Sequence, residues 1–326
     1  MNESSTPYLD KKLSELVQPS ATKISLAEQE RHRIYAGALS KILTSYWSSN
    51  KYGVNGDYPL NPDPEEWRNT CPHLLSDYRG HNIAALAVDH KGHIIDFDFN
   101  HNALFDSSVE HAEARLIKRI FSLSQIQDAW VYSDRDNPAD RYSNALSKVT
   151  VYTSLESCTQ CTGIMMLGRV KNVIYLQTDP GMYRIGDLLH TMTARKKKED
   201  FIRAPEPISA SRIKMNIVND LDNAFARFSE KPNAKPYFYS AHNSSYNAKR
   251  NSITSFLCTE AALKPFSNAA DAFDNTNIKY KTYKPKRSGD TDSDIRSKLS
   301  NKSAYSKAKK FVSYAIEKGH RGTPHK

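Results

Sequence analysis

The sequence predicts an α/β fold, and three stretches of it carry that prediction. Residues 82–89 (NIAALAVD) and 93–99 (HIIDFDF) read as two strands joined by a tight turn at Lys91-Gly92. Residues 148–155 (KVTVYTSL) make a strand rich in β-branched residues, and 172–177 (NVIYLQ) make another. Between these two a helix runs from Cys158 to about Gly168, so strand, helix and strand predict a right-handed parallel crossover.

The remaining elements follow in order. The first two dozen residues are polar, with one short helix over 9–17. Ser25-Leu26-Ala27-Glu28 has the pattern of a capping box and opens a helix to about Trp47. Its Ile34, Ala38, Ile42 and Tyr46 recur every four residues and turn one stripe to a core. Residues 50–71 are rich in Gly, Pro, Asn and Asp and read as a loop or insertion. Ser107 or Ser108 caps a helix over 109–124, whose Ala112, Leu116, Ile120 and Leu123 form its buried stripe. A polar stretch over 134–147 is long enough to overhang a site. A helix over 184–196 and a fifth strand over 208–213 come next. Ile213, Ile217, Leu221, Ala224 and Phe228 then mark a closing helix. Beyond Glu230 the pattern loosens, with Asn, Ser, Tyr and Lys dominating 232–252 and a loop over 281–294. Residues 302–318 form a basic helix with Tyr305, Ala308, Val312 and Ala315 on one face, stopped by Gly319. The expected organisation is an N-terminal helical extension and loop insertion over 1–80, an α/β domain over 81–230 and a basic module over 231–326.

At 326 residues the chain is long enough for a large core, and no apolar run approaches the roughly 18 residues of a membrane span. The N-terminus lacks a basic region followed by an apolar stretch, so a cytoplasmic protein with no membrane partner is expected. Four cysteines in such a chain are not a disulfide scaffold. In a reducing compartment a C-x-x-C suggests metal or redox chemistry, while Cys71 and Cys258 read as ordinary thiols. The net charge of +10 is unevenly placed: residues 231–326 carry 19 Lys and Arg against 7 Asp and Glu, and the rest carries 27 against 29. A basic final third suits a polyanionic partner, commonly RNA or single-stranded DNA; a solvated tail is the equal alternative.

The chemistry centres on Cys158-Thr159-Gln160-Cys161 and His111-Ala112-Glu113. Two cysteines three apart at the start of a helix offer thiolates to one divalent ion, and a histidine supplies a third ligand. Helix N-termini carry partial positive charge, which favours thiolates there. Residues two apart do not share a helix face, so Glu113 need not be a fourth ligand. It can instead hold a water whose pKa a zinc ion lowers toward about 7. Each piece alone is weak; their conjunction points to a catalytic zinc site.

With these residues in place the chain resembles the cytidine, deoxycytidylate and tRNA-adenosine deaminase superfamily. The resemblance rests on Ala84 to Asn100, on His111-Ala112-Glu113, and on the run from Val151 through Cys158 and Cys161 to Tyr175. It implies a three-layer α/β/α fold with a mixed five-stranded sheet. It also implies zinc (Zn2+) held by His111, Cys158 and Cys161, Glu113 as proton shuttle, and Asn100 as a base-contacting amide. Ser157 departs from the proline that the family carries before its first cysteine. The implied activity is hydrolytic deamination of adenine or cytosine in RNA or single-stranded DNA, with a homo-oligomer as the family's common state. Deamination of a free base, nucleoside or nucleotide is the alternative, and a non-catalytic nucleic-acid-binding protein with a retained zinc fold is the third. The cations over 195–198 read as a solvated helix end. Tyr237, Phe238, Tyr239, Tyr280 and Tyr283 can stack on bases but read better as packing residues, and Trp130, Tyr132 and Tyr183 can flank the pocket. His73, His81, His90 and His93 read as surface residues.

Overall fold

The computed structural model describes residues 17, 22–47, 81–102, 105, 107–126, 146–182, 184–194, 202–230, 252–257, 259–287 and 289–318. The expectations for 9–17, 50–71, 134–147, 195–198 and 232–252 fall wholly or mostly outside these residues. So do Cys71, Cys258, His73, Trp130, Tyr132, Tyr183, Tyr237, Phe238, Tyr239 and Gly319.

A mixed five-stranded sheet forms the centre. Its strands are β1 (Ala84–Val88), β2 (Ile94–Phe99), β3 (Thr150–Thr153), β4 (Asn172–Tyr175) and β5 (Glu206–Ser209). They lie in the order β2-β1-β3-β4-β5. β1 runs antiparallel to β2 and to β3, whereas β3, β4 and β5 are parallel to one another. The hairpin and the crossover are thus both realised. Every residue of β1 and β3 is buried, as expected of strands covered on both faces.

The edge strand β2 shows how the two faces are dressed. Asp96 and Asp98 point to helix α2 (Ala112–Ile126), where they pair with Arg119 and Arg115 at 2.9 and 3.2 Å. Phe97 and Phe99 point the other way, because successive strand residues alternate. Phe99 packs against Tyr46, just past helix α1 (Leu26–Ser45), and Phe97 meets Phe311 of helix α9 (Asn301–Lys318) edge to face. On the α2 side also lie α3 (Thr159–Leu167) and α4 (Ile185–Ala194). Helix α5 (Ile217–Ser229), α6 (Ile253–Phe256), α7 (Glu260–Asp274) and α8 (Asp292–Ser297) complete the chain.

Helix α1 is the hub of the second layer. Its Ser25 N-cap accepts from the Glu28 backbone at 3.2 Å, so half of the expected capping box is made. Gly37 lets α7 approach closely, since a Cβ there would lie 2.8 Å from Phe273 Cβ. The buried Glu30 carboxylate accepts from the Lys279 and Tyr280 backbone N–H groups and from Asn301 Nδ2. Arg31 donates to Leu299 O, Asn301 Oδ1 and Lys91 O. Buried apolar residues of 253–315 share one core cluster with α1 and the sheet.

Several elements differ from the sequence reading. The fifth strand ends at Ser209, and 3-10 helix Ala210–Ile213 replaces its expected second half. The Ser209 side chain accepts from Ser211 N and turns the chain, and Ile213 reaches the core from that turn. Helix α2 begins at Ala112 instead of residue 109, and Val109 is exposed. Its cap comes from Asn100, distant in sequence, rather than from Ser107 or Ser108. Helix α7 and the short α6 and α8 were not anticipated. The apolar face of α9 is as expected, with Ala308, Val312 and Ala315 buried and Tyr305 packed against the core. Among the described residues, no helix is long and apolar enough to cross a membrane.

Candidate metal and proton-transfer site

The candidate site sits beyond the carboxyl ends of β2, β3 and β4, where open α/β sheets place their ligands. His111 directly precedes α2. Cys158 is the N-cap residue of α3, in extended conformation (φ −70°, ψ 176°), and Cys161 lies in the first turn. His111 Nδ1 is 3.4 Å from Cys158 Sγ and 3.6 Å from Cys161 Sγ. A tetrahedral zinc with ordinary Zn–S and Zn–N bonds would hold sulfur and nitrogen donors about 3.5 Å apart. The three ligand atoms all lie within 4.8 Å of one another, so both spacing and donor chemistry fit zinc. Among the described residues no fourth His, Cys, Asp or Glu joins this group, and Glu113 stands outside it.

The donor set is electrostatically prepared. Hydrogen bonds from Cys161 and then from His111 hold the Cys158 thiol down at about 4. The same bond to Cys158, followed by burial, pushes the Cys161 thiol up. The partnership with Cys158 raises the His111 imidazole. Two neutral-to-anionic sulfurs and an imidazole in this state can exchange their protons for a soft divalent cation.

Glu113 is buried, and burial raises its carboxyl. Its Oε1 accepts from Thr153 Oγ1 at 3.0 Å and from Ser157 Oγ at 2.9 Å. Two hydroxyls on one oxygen fix the rotation of the carboxyl group. Ser157, where proline was the expected residue, therefore supplies a donor that proline lacks. The loop before α2 is stitched in place by Gln160 Nε2, which donates to Val109 O at 2.8 Å, and by Arg115, which pairs with Glu110 at 2.6 Å.

Asn100, Glu113, His111, Cys158, Glu156 and Asp179 line one cavity of about 590 Å³. Asn100 Oδ1 accepts from Ala112 N at 2.7 Å, so this amide caps α2 while bordering the cavity. The five residues singled out in the sequence thus meet at one place. His81, expected at the surface, is half-buried on the cavity wall, and His93 is exposed as expected. The sequence reading missed Thr153, Glu156 and Asp179. Glu156 Oε2 accepts from Asp179 N at 3.0 Å, and its Oε1 has no hydrogen-bond partner among the described residues. Burial pushes the Glu156 carboxyl up to about 7. The signal that could have found these residues is positional: all three end or follow strands of the parallel set.

Fold and site together define an α/β protein with a group able to hold a soft divalent metal at the carboxyl edge of its sheet. No family model matches the chain, and the search of curated proteins returned no match. Among solved structures, a tRNA:A34 deaminase that edits A to I at the wobble position of transfer RNA is 20% identical. That likeness covers 39% of this chain and 82% of the other, with a TM-score of 0.27. The guanine deaminase of Bacillus subtilis is 22% identical, over 39% of this chain and 71% of its own, at a TM-score of 0.25. The guanine deaminase of Nitrosomonas europaea is 13% identical, over 50% and 97%, at a TM-score of 0.25. Similarity this slight assigns no substrate.

Proposed function

We propose that the protein is a zinc-dependent hydrolytic deaminase acting on an amino-bearing nucleobase, adenine or cytosine, within RNA or single-stranded DNA. The observation that carries this reading is the buried Glu113, locked by two hydroxyls beside a three-residue donor group that spans one zinc ion. His111, Cys158 and Cys161 would hold the zinc. When bound, zinc supplies Lewis acidity that makes water nucleophilic near neutral pH. Glu113 would take a proton from the attacking water and deliver it to the ring nitrogen beside the amino-bearing carbon. A new C–O bond forms there. Glu113 would then take the proton of the new hydroxyl and pass it to the amine, so that the C–N bond breaks as the C=O forms and ammonia leaves. Asn100 borders the cavity with an amide that can both accept and donate at a ring edge. A base must leave its stack to enter such a cavity. The basic surplus over 231–326 would hold phosphates, and binding through it should weaken steeply with salt.

A second reading, deamination of a free base, nucleoside or nucleotide, is favoured by Glu156. The residue lines the same cavity, and its Oε1, with no partner among the described residues, can accept from a ring N–H. Sequencing RNA and DNA from cells making the wild type or Glu113→Ala tests the leading reading. Glu113-dependent A-to-G or C-to-T changes are expected. Ammonia release confined to free bases and nucleosides would replace it with the second.

A further inference from the structure

At the opposite edge of the sheet, where β3 and β4 begin, lies a second cavity of about 310 Å³. It is walled by α1, by the first residues of those strands and by the segment around Arg287. Four cations border it (Arg31, Lys171, Lys286 and Arg287) against two carboxylates, Glu28 and Asp89. Much of this charge is already engaged. Arg31 is spent on three acceptors of the chain, as described above. Asp89 Oδ1 accepts from Gly92 N and His93 N at 2.7 and 2.8 Å, which holds the β1–β2 turn.

What remains is a set of unspent donors. Lys171 has no hydrogen bond or ion pair from its ammonium among the described residues, and neither does Lys286. Arg287 gives one guanidinium N–H to Lys148 O at 3.2 Å, which leaves most of its fork open. His32 Nδ1 lies 2.7 Å from the Tyr152 hydroxyl. Burial holds that imidazole low, at about 3, and holds the phenol well above its ordinary value. The imidazole is therefore neutral, and it shares one hydrogen bond with the phenol. The Asn172 side chain also lacks a partner among the described residues. Burial and then the nearby Arg287 charge lower the Lys171 ammonium, a repulsion that Glu28 and Glu206 offset only in part and that a bound anion would relieve further. Glu28 borders the cavity and burial raises its carboxyl, while Glu206 lies near Lys171 and Asp290, paired with Lys298, lies near Arg287.

We propose that this cavity binds a phosphate group, as inorganic phosphate or as the head of a small phosphate monoester. Lys171 and Arg287 are its charged donors, and Asn172 Nδ2 is its neutral one. Charge-assisted bonds from such a set suit a phosphate better than a monovalent halide. The cavity's small, walled shape favours a compact ligand over a nucleic-acid backbone. The site is separate from the metal group and does not depend on the proposed deamination.

Calorimetric titration of the full-length protein with inorganic phosphate and with a nucleoside monophosphate, against chloride at matched ionic strength, tests this. Saturable binding to the wild type is expected. Lys171→Gln and Arg287→Gln should each weaken it roughly ten- to a hundredfold. Both side chains are partly exposed, so the variants should fold, and Asn172→Ala offers a milder third change. Heat of binding no different from that of chloride would overturn the proposal, as would undiminished affinity in the Lys171→Gln/Arg287→Gln double variant. Tighter displacement of phosphate by a single-stranded oligonucleotide lacking terminal phosphates would overturn the small-ligand assignment.

Discussion

The Ser157 hydroxyl donates to Glu113 Oε1 at 2.9 Å, from the position where the deaminase pattern carries proline. Thr153 contributes the second donor to the same oxygen. Ser157→Ala should slow ammonia release about tenfold, the worth of one hydrogen bond to a carboxyl. Zinc content and unfolding midpoint should stay at wild-type values, and Ser157→Thr should restore the rate. A Ser157→Pro variant with wild-type turnover would contradict this role.

Metal content gives a test that needs no substrate. The wild type should purify with close to one zinc per chain by elemental analysis. Cys161→Ser and His111→Ala should retain only a fraction of it. Chelation should lower the unfolding temperature of the wild type more than that of either variant, because ligand binding adds to stability only where the site persists. Equal response of all three proteins would refute the donor set.

Asn100 has two separable duties. Its Oδ1 caps Ala112 N, a role that an aspartate can keep, whereas the amide N–H can serve only a ligand. Asn100→Ala should cost about 1 kcal/mol of stability. Asn100→Asp should preserve stability but lose turnover, measured as ammonia release on the substrate that the wild type accepts. Full turnover in Asn100→Asp would leave the residue a cap and nothing more.

His32 sets a dependence of stability on pH. Its folded value, about 3, lies below the ordinary 6.5, so the unfolded chain binds the proton first. Stability is therefore whole above about pH 6.5 and is lost as pH falls toward 3, by up to about 1.4 kcal/mol per pH unit. His32→Gln keeps an acceptor for Tyr152 and should flatten that slope in urea unfolding at stepped pH. An unchanged slope would show that other groups cause it.

Much of the site was legible because its parts announce themselves locally. A C-x-x-C after a β-branched strand and a His-x-Glu at a helix start fix their own secondary structure, and strand order then brings them together. Convergence of side chains from separate strands leaves no such trace. Thr153 and Ser157 meet Glu113 across 40 and 44 residues, and no periodicity encodes that. The same reason explains the start of α2, whose cap comes from Asn100, 12 residues upstream. Helix α7 was hidden differently. Pro265 interrupts its pattern, although Thr259 caps it and Ala262, Phe266, Ala270 and Phe273 make a regular buried stripe.

The clasp on Glu30 and Arg31 bears on how the polypeptide is born. All of the partners of Glu30 and two of the three of Arg31 lie about 250 to 270 residues downstream, in segments translated long after α1. Until those segments leave the ribosome, α1 carries two polar side chains that its final setting buries, and it has no complete surface to settle on. Contacts this distant in sequence slow assembly. The nascent chain should thus hold its early helix solvated and commit it to the core only once those later segments have emerged.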